Sequence, residues 1–290
     1  MTTLPTIVRA SSLTNYPDCP RRAATRMIGQ EIKAAGYDLR GLPNGIGAAV
    51  GTSVHRAASL ILDEKAKSGS VPPLDVSADA AIETLRNETA PGISMDSTTV
   101  DLNEAEQQVL RMSAVYRRDV APDIRPLLVE TRIEATVPWS TQGLVLTGQG
   151  DVIAREPGRV RDLKTGTKLK THGPQIGAYS LLARSNGIEI NEVGIDFIQR
   201  VHITSRTKCQ SQPAAVIQKH NIQVAETAAA NVLRHIDGDI AVFRNGDPER
   251  RLLPGDPWAF AANPSSVLCS PKYCPAHGTP WCREATTEEE

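Results

Sequence analysis

The spacing of hydrophobic and polar residues changes along the chain, from a helical period in its first part to a strand period in its middle. Between residues 48 and 67, apolar side chains recur at helical spacing, and the run ends in lysine and glycine, as helices do. The stretch 101–121 follows the same pattern. Within 11–28, the sequence predicts a short helix, a break at Pro17 and Pro20, and a second helix. The first part of the chain is therefore predicted to be helical.

Three β-rich runs follow, separated by short turn-forming segments, and they predict an antiparallel meander. After them, the pattern predicts a helix, a buried strand of the same sheet and a last helix. These predicted elements cover residues 127–137, 144–154, 159–164, about 174–184, 193–201 and about 220–240. Because strands and helices share the chain in this way, the predicted fold class is α/β.

Composition narrows the class of protein. With 290 residues, 40% of them hydrophobic, the chain is long enough to bury a full core, as a soluble globular protein does. The 32 Lys and Arg residues nearly balance the 33 Asp and Glu residues, so any attraction to nucleic acid must come from local clusters. No apolar run approaches the roughly 18 residues of a membrane span, and the amino terminus lacks the apolar segment of an export signal. We therefore expect a cytoplasmic protein.

Candidate chemistry is concentrated in VRDLKTG, at residues 160–166. Residues two apart on a strand share a face, so Asp162 and Lys164 are predicted to project together. Asp151 follows the small residues of GQG on the neighbouring predicted strand. Two carboxylates from adjacent strands can converge on one divalent cation such as Mg²⁺, and a nearby lysine can orient water or offset charge that develops in the transition state. These are the parts of a phosphodiesterase site.

The motifs GQGDVIA, RDLKTG and QIGAY, in this order, resemble the core of the PD-(D/E)xK nucleases of the RecB type. That branch includes CRISPR-associated and phage RecB-like exonucleases. The resemblance implies a restriction-endonuclease-like fold, in which a mixed central sheet is flanked by helices. The site residues that it implies are His55, Asp151 and Asp162 as ligands of Mg²⁺ or Mn²⁺, Lys164 to position or activate water, and Gln175 with Tyr179 on the following helix.

Further residues extend this candidate site. Gln175 and Tyr179 are four residues apart, so on a helix they lie on one face. Glu130 lies on the first predicted strand, where such nucleases often place an acid; Glu134 competes with it on the same face, and Glu130 is preferred. The loop 168–172, which contains two lysines and a histidine, is either a solvated turn or a DNA contact, and DNA contact is favoured beside a phosphodiesterase site.

The carboxyl-terminal segment SSVLCSPKYCPAHGTPWCRE crowds three cysteines among Pro and Gly, in a stretch that cannot supply much hydrophobic core. Such a segment suggests a loop clamped by metal. In RecB-like exonucleases with an iron–sulfur cluster, one cysteine lies near the amino terminus and three lie near the carboxyl terminus. The resemblance therefore implies a 4Fe-4S cluster held by Cys19, Cys269, Cys274 and Cys282, in a small lobe formed by both chain ends.

The cysteine spacing leaves a second kind of metal site open. The pattern C-x4-C-x7-C is wider than is usual in these relatives. Cys269, Cys274, His277 and Cys282 could alone form a tetrahedral zinc site, although this alternative gives Cys19 no role. The fifth cysteine, Cys209, has no partner nearby in the sequence and is expected to be an ordinary free thiol.

The sequence predicts three regions: an amino-terminal segment with the first cysteine (1–46), a RecB-like nuclease core with a helical insertion (47–245), and a cysteine-rich segment with an acidic tail (246–290). We expect a phage-type, stand-alone, metal-dependent DNA exonuclease in recombination, repair or DNA end processing. The expected substrate is DNA that is single-stranded or has free ends, and recombination or CRISPR-associated proteins are candidate partners. The alternative is a non-catalytic DNA-binding or adaptor module that keeps the nuclease fold. The intact Asp151, Asp162 and Lys164 argue against it, because a binding module does not need all three.

Overall fold

The computed structural model describes residues 5–155, 157–202 and 212–282. Cys209 and the acidic tail lie outside these ranges. A π-helical turn, Tyr116–Val120, directly continues the sixth helix of the described chain. The α-helices are α1 (Ala10–Leu13), α2 (Pro20–Met27), α3 (Gly29–Ala34), α4 (Ile46–Ser68), α5 (Asp75–Thr89), α6 (Leu102–Val115), α7 (Gly173–Ser185) and α8 (Ile222–Asn245).

One mixed sheet contains the described strands. These strands are β1 (Thr6–Arg9), β2 (Pro126–Thr136), β3 (Leu144–Ala154), β4 (Arg159–Gly166), β5 (Glu192–Gln199) and β6 (Val216–His220). Strands β2, β3 and β4 are antiparallel neighbours, which confirms the predicted meander. β5 runs parallel to β4, β1 runs parallel to β3, and β6 pairs antiparallel with β5.

Helices cover both faces of this sheet, and each face has its own hydrophobic core. Along β5, Ile195 and Phe197 point into one core and Ile198 points into the other, as the alternation of a strand requires. α4, α5 and α6 supply the core on the side of Ile198. α7 and α8 supply the core on the opposite side, together with the chain ends. The sheet therefore forms the middle layer, and the predicted α/β class is confirmed.

The hydrophobic pattern predicts the long elements and misses four shorter or weaker ones, α3, α5, β1 and β6. The helix predicted over 48–67 is α4, and Gly69, which follows its last residue, caps it in the left-handed conformation with a φ of 77°. α5 is missed because its buried face carries only Ser77, Ala81 and Leu85, which give little apolar periodicity. β1 has only 4 residues, and β6 is largely exposed, so neither shows a strong alternation. Among the described residues, no helix combines the length and the apolar character needed to cross a membrane.

Candidate active site

The candidate active site lies where β3 changes neighbours. β2 pairs with one edge of β3 along nearly its whole length, so β1 and β4 share the opposite edge. On that edge, β1 pairs with residues 144–147 and β4 pairs with residues 152–154. None of the described strands pairs there with residues 148–151. The GQG motif and Asp151 therefore lie at a gap between two strands.

Asp151 is held at the end of this gap by two contacts. Its Oδ2 accepts the backbone N–H of Leu163, which belongs to β4. Its Oδ1 lies 2.8 Å from Nδ1 of His55, which α4 supplies from the face opposite α7. The backbone contact fixes the direction of the carboxylate, so the imidazole and the carboxylate meet where β3 and β4 separate.

Glu130 of β2 lies opposite Asp151 in the antiparallel register. Its φ of 44° is in the left-handed region, where a non-glycine residue is strained by about 1–3 kcal/mol, and such residues cluster at functional sites. Its Oε2 accepts an N–H from Gln149 Nε2 at 2.9 Å, and its Oε1 lies 3.9 Å from His55 Nδ1. Glu134, the competing acid on the same strand, is exposed. Of the two acids, Glu130 is the one that reaches His55.

Together, His55, Glu130 and Asp151 offer ligand atoms that all lie within 4.8 Å of one another. In the part of the chain that the structure describes, no other group of three or more His, Cys, Asp or Glu side chains comes this close. Carboxylate oxygens with one imidazole suit hard divalent cations such as Mg²⁺ and Mn²⁺. Asp162 lies outside this tight group, so its predicted role as a metal ligand stays a prediction, and Glu130 is the acid that completes the group.

Asp162 instead connects Lys164 to the residues predicted on α7. It is only 2% exposed, and its Oδ2 lies 2.6 Å from Lys164 Nζ. Gln175 Nε2 donates to Asp162 Oδ1 at 3.3 Å and to the Tyr179 hydroxyl at 3.1 Å. The shared faces predicted for Asp162 with Lys164 and for Gln175 with Tyr179 are therefore present, because each pair is in contact.

The ionisable groups of the site perturb one another. Burial would lower the pKa of His55, but the adjacent Asp151 carboxylate raises it to about 8. Burial and the negative charge of Asp151 together raise the pKa of Glu130 to about 7 and the pKa of Asp162 to about 6. Burial would also raise the pKa of Asp151, but His55 holds it below its usual range. The site thus gathers more carboxylate than His55 and Lys164 neutralise, which favours a bound cation.

Comparison with known proteins identifies the family. The sequence profile of the PD-(D/E)XK nuclease superfamily matches residues 9–283. The chain belongs to the PD-(D/E)XK nuclease superfamily. Enzymes of this superfamily use divalent metals, and the donors of His55, Glu130 and Asp151 fit such a metal. No curated protein matches the chain significantly.

One solved structure has the same fold as this chain. A crystal structure from Eubacterium rectale, of a protein provisionally described as an exonuclease, aligns with a TM-score of 0.52 and 12% identity over 80% of each chain. This likeness confirms the predicted restriction-endonuclease-like fold. A phage-related exonuclease from Haemophilus somnus 129PT aligns with a TM-score of 0.26 and 14% identity, over 64% of this chain and 94% of its own.

The two chain ends meet beside the nuclease core. Cys19, Cys269, Cys274 and Cys282 all line one small cavity, which we call the cysteine cavity. Burial raises the pKa of the Cys269 thiol, and the neighbouring Cys282 and Cys19 raise it further. A backbone hydrogen bond also joins the two segments, since Arg21 N–H donates to Ala261 O at 3.0 Å. The structure therefore brings the first predicted cysteine to the three carboxyl-terminal ones.

The cysteine cavity also bears on the alternative zinc site. Among the described residues, no three cysteine or histidine ligand atoms of this region lie within 4.8 Å of one another, whereas the ligands of one zinc ion at Zn–S distances of about 2.3 Å stand closer than that. His277 is not among the residues that line the cavity, whereas Cys19 is. The choice between an iron–sulfur cluster and zinc therefore stays a prediction.

Three polar residues near the site are not predicted from the sequence. Gln149 contacts Glu130, and its position two residues before Asp151 is a signal that could have indicated it. Arg9 and Arg132 line a cavity together with Gln149 and Tyr179. Neither arginine belongs to one of the sequence motifs. Arg9 ends the short strand β1, and Arg132 lies on the exposed part of β2. Only the pairing of the strands brings them beside the motif residues.

Proposed function

We propose that this protein is a metal-dependent DNA exonuclease that hydrolyses phosphodiester bonds at DNA ends. The observation that carries the proposal is the meeting of His55, Glu130 and Asp151 at the gap between β1 and β4, beside the Asp162–Lys164 pair. A superfamily member with no use for catalysis would not need to keep three acids, an imidazole and a lysine at one point. Recombination, repair or DNA end processing is the proposed setting, because these processes trim free ends.

The proposed roles follow from the contacts. When bound, Mg²⁺ or Mn²⁺ would polarise the phosphate and lower the pKa of a bound water. His55 and Asp151 would hold the cation, Glu130 lies close enough to join them, and Asp162 is the further predicted ligand. Lys164 orients the attacking water or stabilises the charge that develops on the phosphate. Gln175 keeps Asp162 and Tyr179 in fixed relation through its amide.

The cysteine cavity is proposed to hold a 4Fe-4S cluster, with Cys19, Cys269, Cys274 and Cys282 as ligands. Such a cluster would act as a covalent crosslink between the chain ends. The proposed regions 1–46, 47–245 and 246–290 remain predictions. Structural zinc is the alternative, and the position of Cys19 in the cavity favours the cluster.

A nuclease assay tests the catalytic proposal. End-labelled single-stranded and double-stranded DNA should be degraded from their ends with Mg²⁺ or Mn²⁺, and EDTA should stop the reaction. Asp162→Asn should abolish cleavage while DNA binding persists. The matched control is Asp79→Asn, an exposed acid on α5 that should leave cleavage unchanged.

Three results would contradict the proposal. Cleavage by Asp162→Asn at the wild-type rate would show that the site is elsewhere. If the wild-type protein binds DNA but does not cut it in the presence of either Mg²⁺ or Mn²⁺, the alternative of a non-catalytic DNA-binding module is favoured. Cleavage of a circular single strand would instead show an endonuclease.

A further inference from the structure

A continuous groove leads away from the candidate active site. A cavity of about 370 Å³ is lined by Tyr179 and Gln149 of the site, and also by Arg9 and Arg132. A second cavity, of about 550 Å³, is lined by the same two arginines and extends to Tyr273. Because the two cavities share these side chains, they form one groove, which we call the arginine groove.

The charge on the arginine groove is positive and is not neutralised by the protein. Arg9, Arg26 and Arg132 are exposed and line the groove. In the described part of the chain, none of these three guanidinium groups forms an ion pair, and no acidic residue lines either cavity. Arg22 also lines the groove but pairs with Asp18 at 2.8 Å. In a chain whose net charge is -1, this clustering departs from the average surface and points to an anionic ligand.

An aromatic ring lies at the far end of the groove. Tyr273 is 45% exposed and lines the larger cavity, and Lys272 Nζ lies 5.4 Å from the centre of its ring. Proteins that bind single strands combine a positive groove that follows the phosphates with aromatic rings on which bases stack. Each cavity has the size of a ligand pocket, roughly 300–1,000 Å³. The positive charge and the exposed ring together therefore favour a single strand as the ligand.

We propose that the arginine groove binds a single-stranded segment of the DNA substrate adjoining the bond at the active site. Arg9 and Arg132 contact the phosphates next to the site, Arg26 contacts a phosphate further along, and a base stacks on Tyr273. The inference rests on the proposed function, because it takes the strand in the groove to be the one that enters the site.

The far wall of the groove is built from neighbours of the cysteines. Leu268 precedes Cys269, and Tyr273 precedes Cys274. Arg22, on the helix that begins after Cys19, lines both the groove and the cysteine cavity. The proposed crosslink between the chain ends would thus also position the stacking ring near the arginines.

Binding of a fluorescent single-stranded oligonucleotide, measured by anisotropy in EDTA so that no cleavage occurs, tests the groove. The double variant Arg9→Gln/Arg132→Gln should weaken binding, and the slope of log K against log salt should fall by about 0.7 for each lost contact. Arg26→Gln should give a smaller loss of the same kind. Tyr273→Ala should weaken binding about tenfold, and Tyr273→Phe should retain it, because the ring supplies the stacking.

The matched control is Arg111→Gln on α6, an exposed arginine that lines neither cavity and should bind as the wild type does. If Arg26→Gln and the folded double variant bind with the wild-type affinity and salt slope, the groove assignment is wrong. If a blunt duplex binds as tightly as the single strand and is weakened equally, the single-strand assignment is wrong.

Cleavage in Mg²⁺ is measured separately, so the two proposals can fail independently. A wild type that binds through the arginines and does not cut supports the groove and overturns the nuclease proposal. A wild type that cuts, with arginine variants that bind as the control does, overturns the groove alone.

Discussion

Gly148 is the point at which β3 comes nearest to the ring of Tyr179. A Cβ at this position would lie 2.7 Å from Tyr179 Cε1 and 2.8 Å from Leu182 Cδ1. At Gly150, two residues on, a Cβ would be 3.9 Å from the same ring, an ordinary contact. The first glycine of GQGD is therefore required by the approach of α7, whereas the second is not.

Gly148→Ala should lower the cleavage rate on the order of 10²-fold, the loss expected when a site is displaced by about 1 Å. The added methyl group pushes the Tyr179 ring, and Gln175 transmits the shift to Asp162 through its two hydrogen bonds. Single-turnover cleavage, with thermal melting to check folding, measures the effect. Gly150→Ala is the control and should cut normally; equal losses in both variants would show that Tyr179 is not responsible.

Lys164→Ala should lower the cleavage rate by on the order of 10² or more, the scale for losing one group that stabilises developing charge. Among the described residues, the ion pair that Lys164 Nζ forms is with Asp162, which holds the ammonium group at the site. Metal affinity, measured by titration calorimetry, should be largely retained. Lys67→Ala, at the exposed end of α4, is the matched control. A Lys164 variant that cuts normally would remove the lysine from the mechanism.

At the scale of elements, α7 and α8 touch backbone to backbone at Gly177. A Cβ there would lie 2.0 Å from the carbonyl oxygen of Ala225. Because the obstructing atoms belong to the backbone of α8, no side-chain rotation can relieve the overlap. This contact sets the distance of α8 from the helix that carries Gln175 and Tyr179.

Gly177→Ala should therefore destabilise the fold by about 1–3 kcal/mol or more, the cost of overpacking. Urea unfolding measures the change. Gly238→Ala is the matched control, since this glycine lies within α8 with open space around the Cβ position. It should stabilise the protein by about 0.5–1 kcal/mol through helix propensity. A Gly177 variant as stable as the control would show that the two helices can separate freely.

A buried ion pair joins β4 to β5. Arg161 Nε donates to Asp196 Oδ2 at 2.9 Å, and both side chains are 2% exposed. Arg161→Met should cost about 3–5 kcal/mol, because it leaves a carboxylate buried without its partner. The double variant Arg161→Met/Asp196→Leu should recover most of that loss, as measured by urea unfolding. If the double variant is no more stable than the single one, the packing of the guanidinium matters more than its charge.

At the scale of the whole molecule, the cysteine cavity joins residues near the two ends of the chain. A crosslink there closes a loop of most of the protein, which restricts the unfolded chain strongly. Trp281, fully buried, packs edge-on against Tyr37 and Phe243, so the carboxyl-terminal segment is also anchored by aromatic contacts. The position of the carboxyl-terminal segment is therefore expected to depend on both the aromatic contacts and the proposed metal group.

Cys19→Ser is expected to bleach anaerobically purified protein, which should be brown if the cluster is present, since thiolate-bound iron absorbs visible light and d¹⁰ zinc does not. The melting temperature should fall at the same time, because the crosslink between the ends is lost. Iron, sulfide and zinc analysis with thermal melting checks both effects. Cys209→Ser is the control and should change neither. Colourless protein with one zinc that Cys19→Ser leaves in place would overturn the cluster and leave the nuclease proposal standing.

The sequence by itself determined the long elements and the order of the motifs. The helical period of 48–67 and the alternation of the three β-rich runs are local signals, which can be read within a short window of the sequence. The contact between Asp162 and Lys164 also follows from the two-residue period of a strand. These features therefore agree between the sequence and the structure.

The tertiary structure alone decided which distant residues meet. Glu130 reaches His55 because the register of β2 and β3, and a left-handed backbone at that residue, place it opposite Asp151. Arg9 joins the site because β1 takes the edge of β3 that β4 leaves open. No window of sequence contains such pairings, since the free energy that selects them comes from burial and hydrogen bonding between segments far apart in the chain.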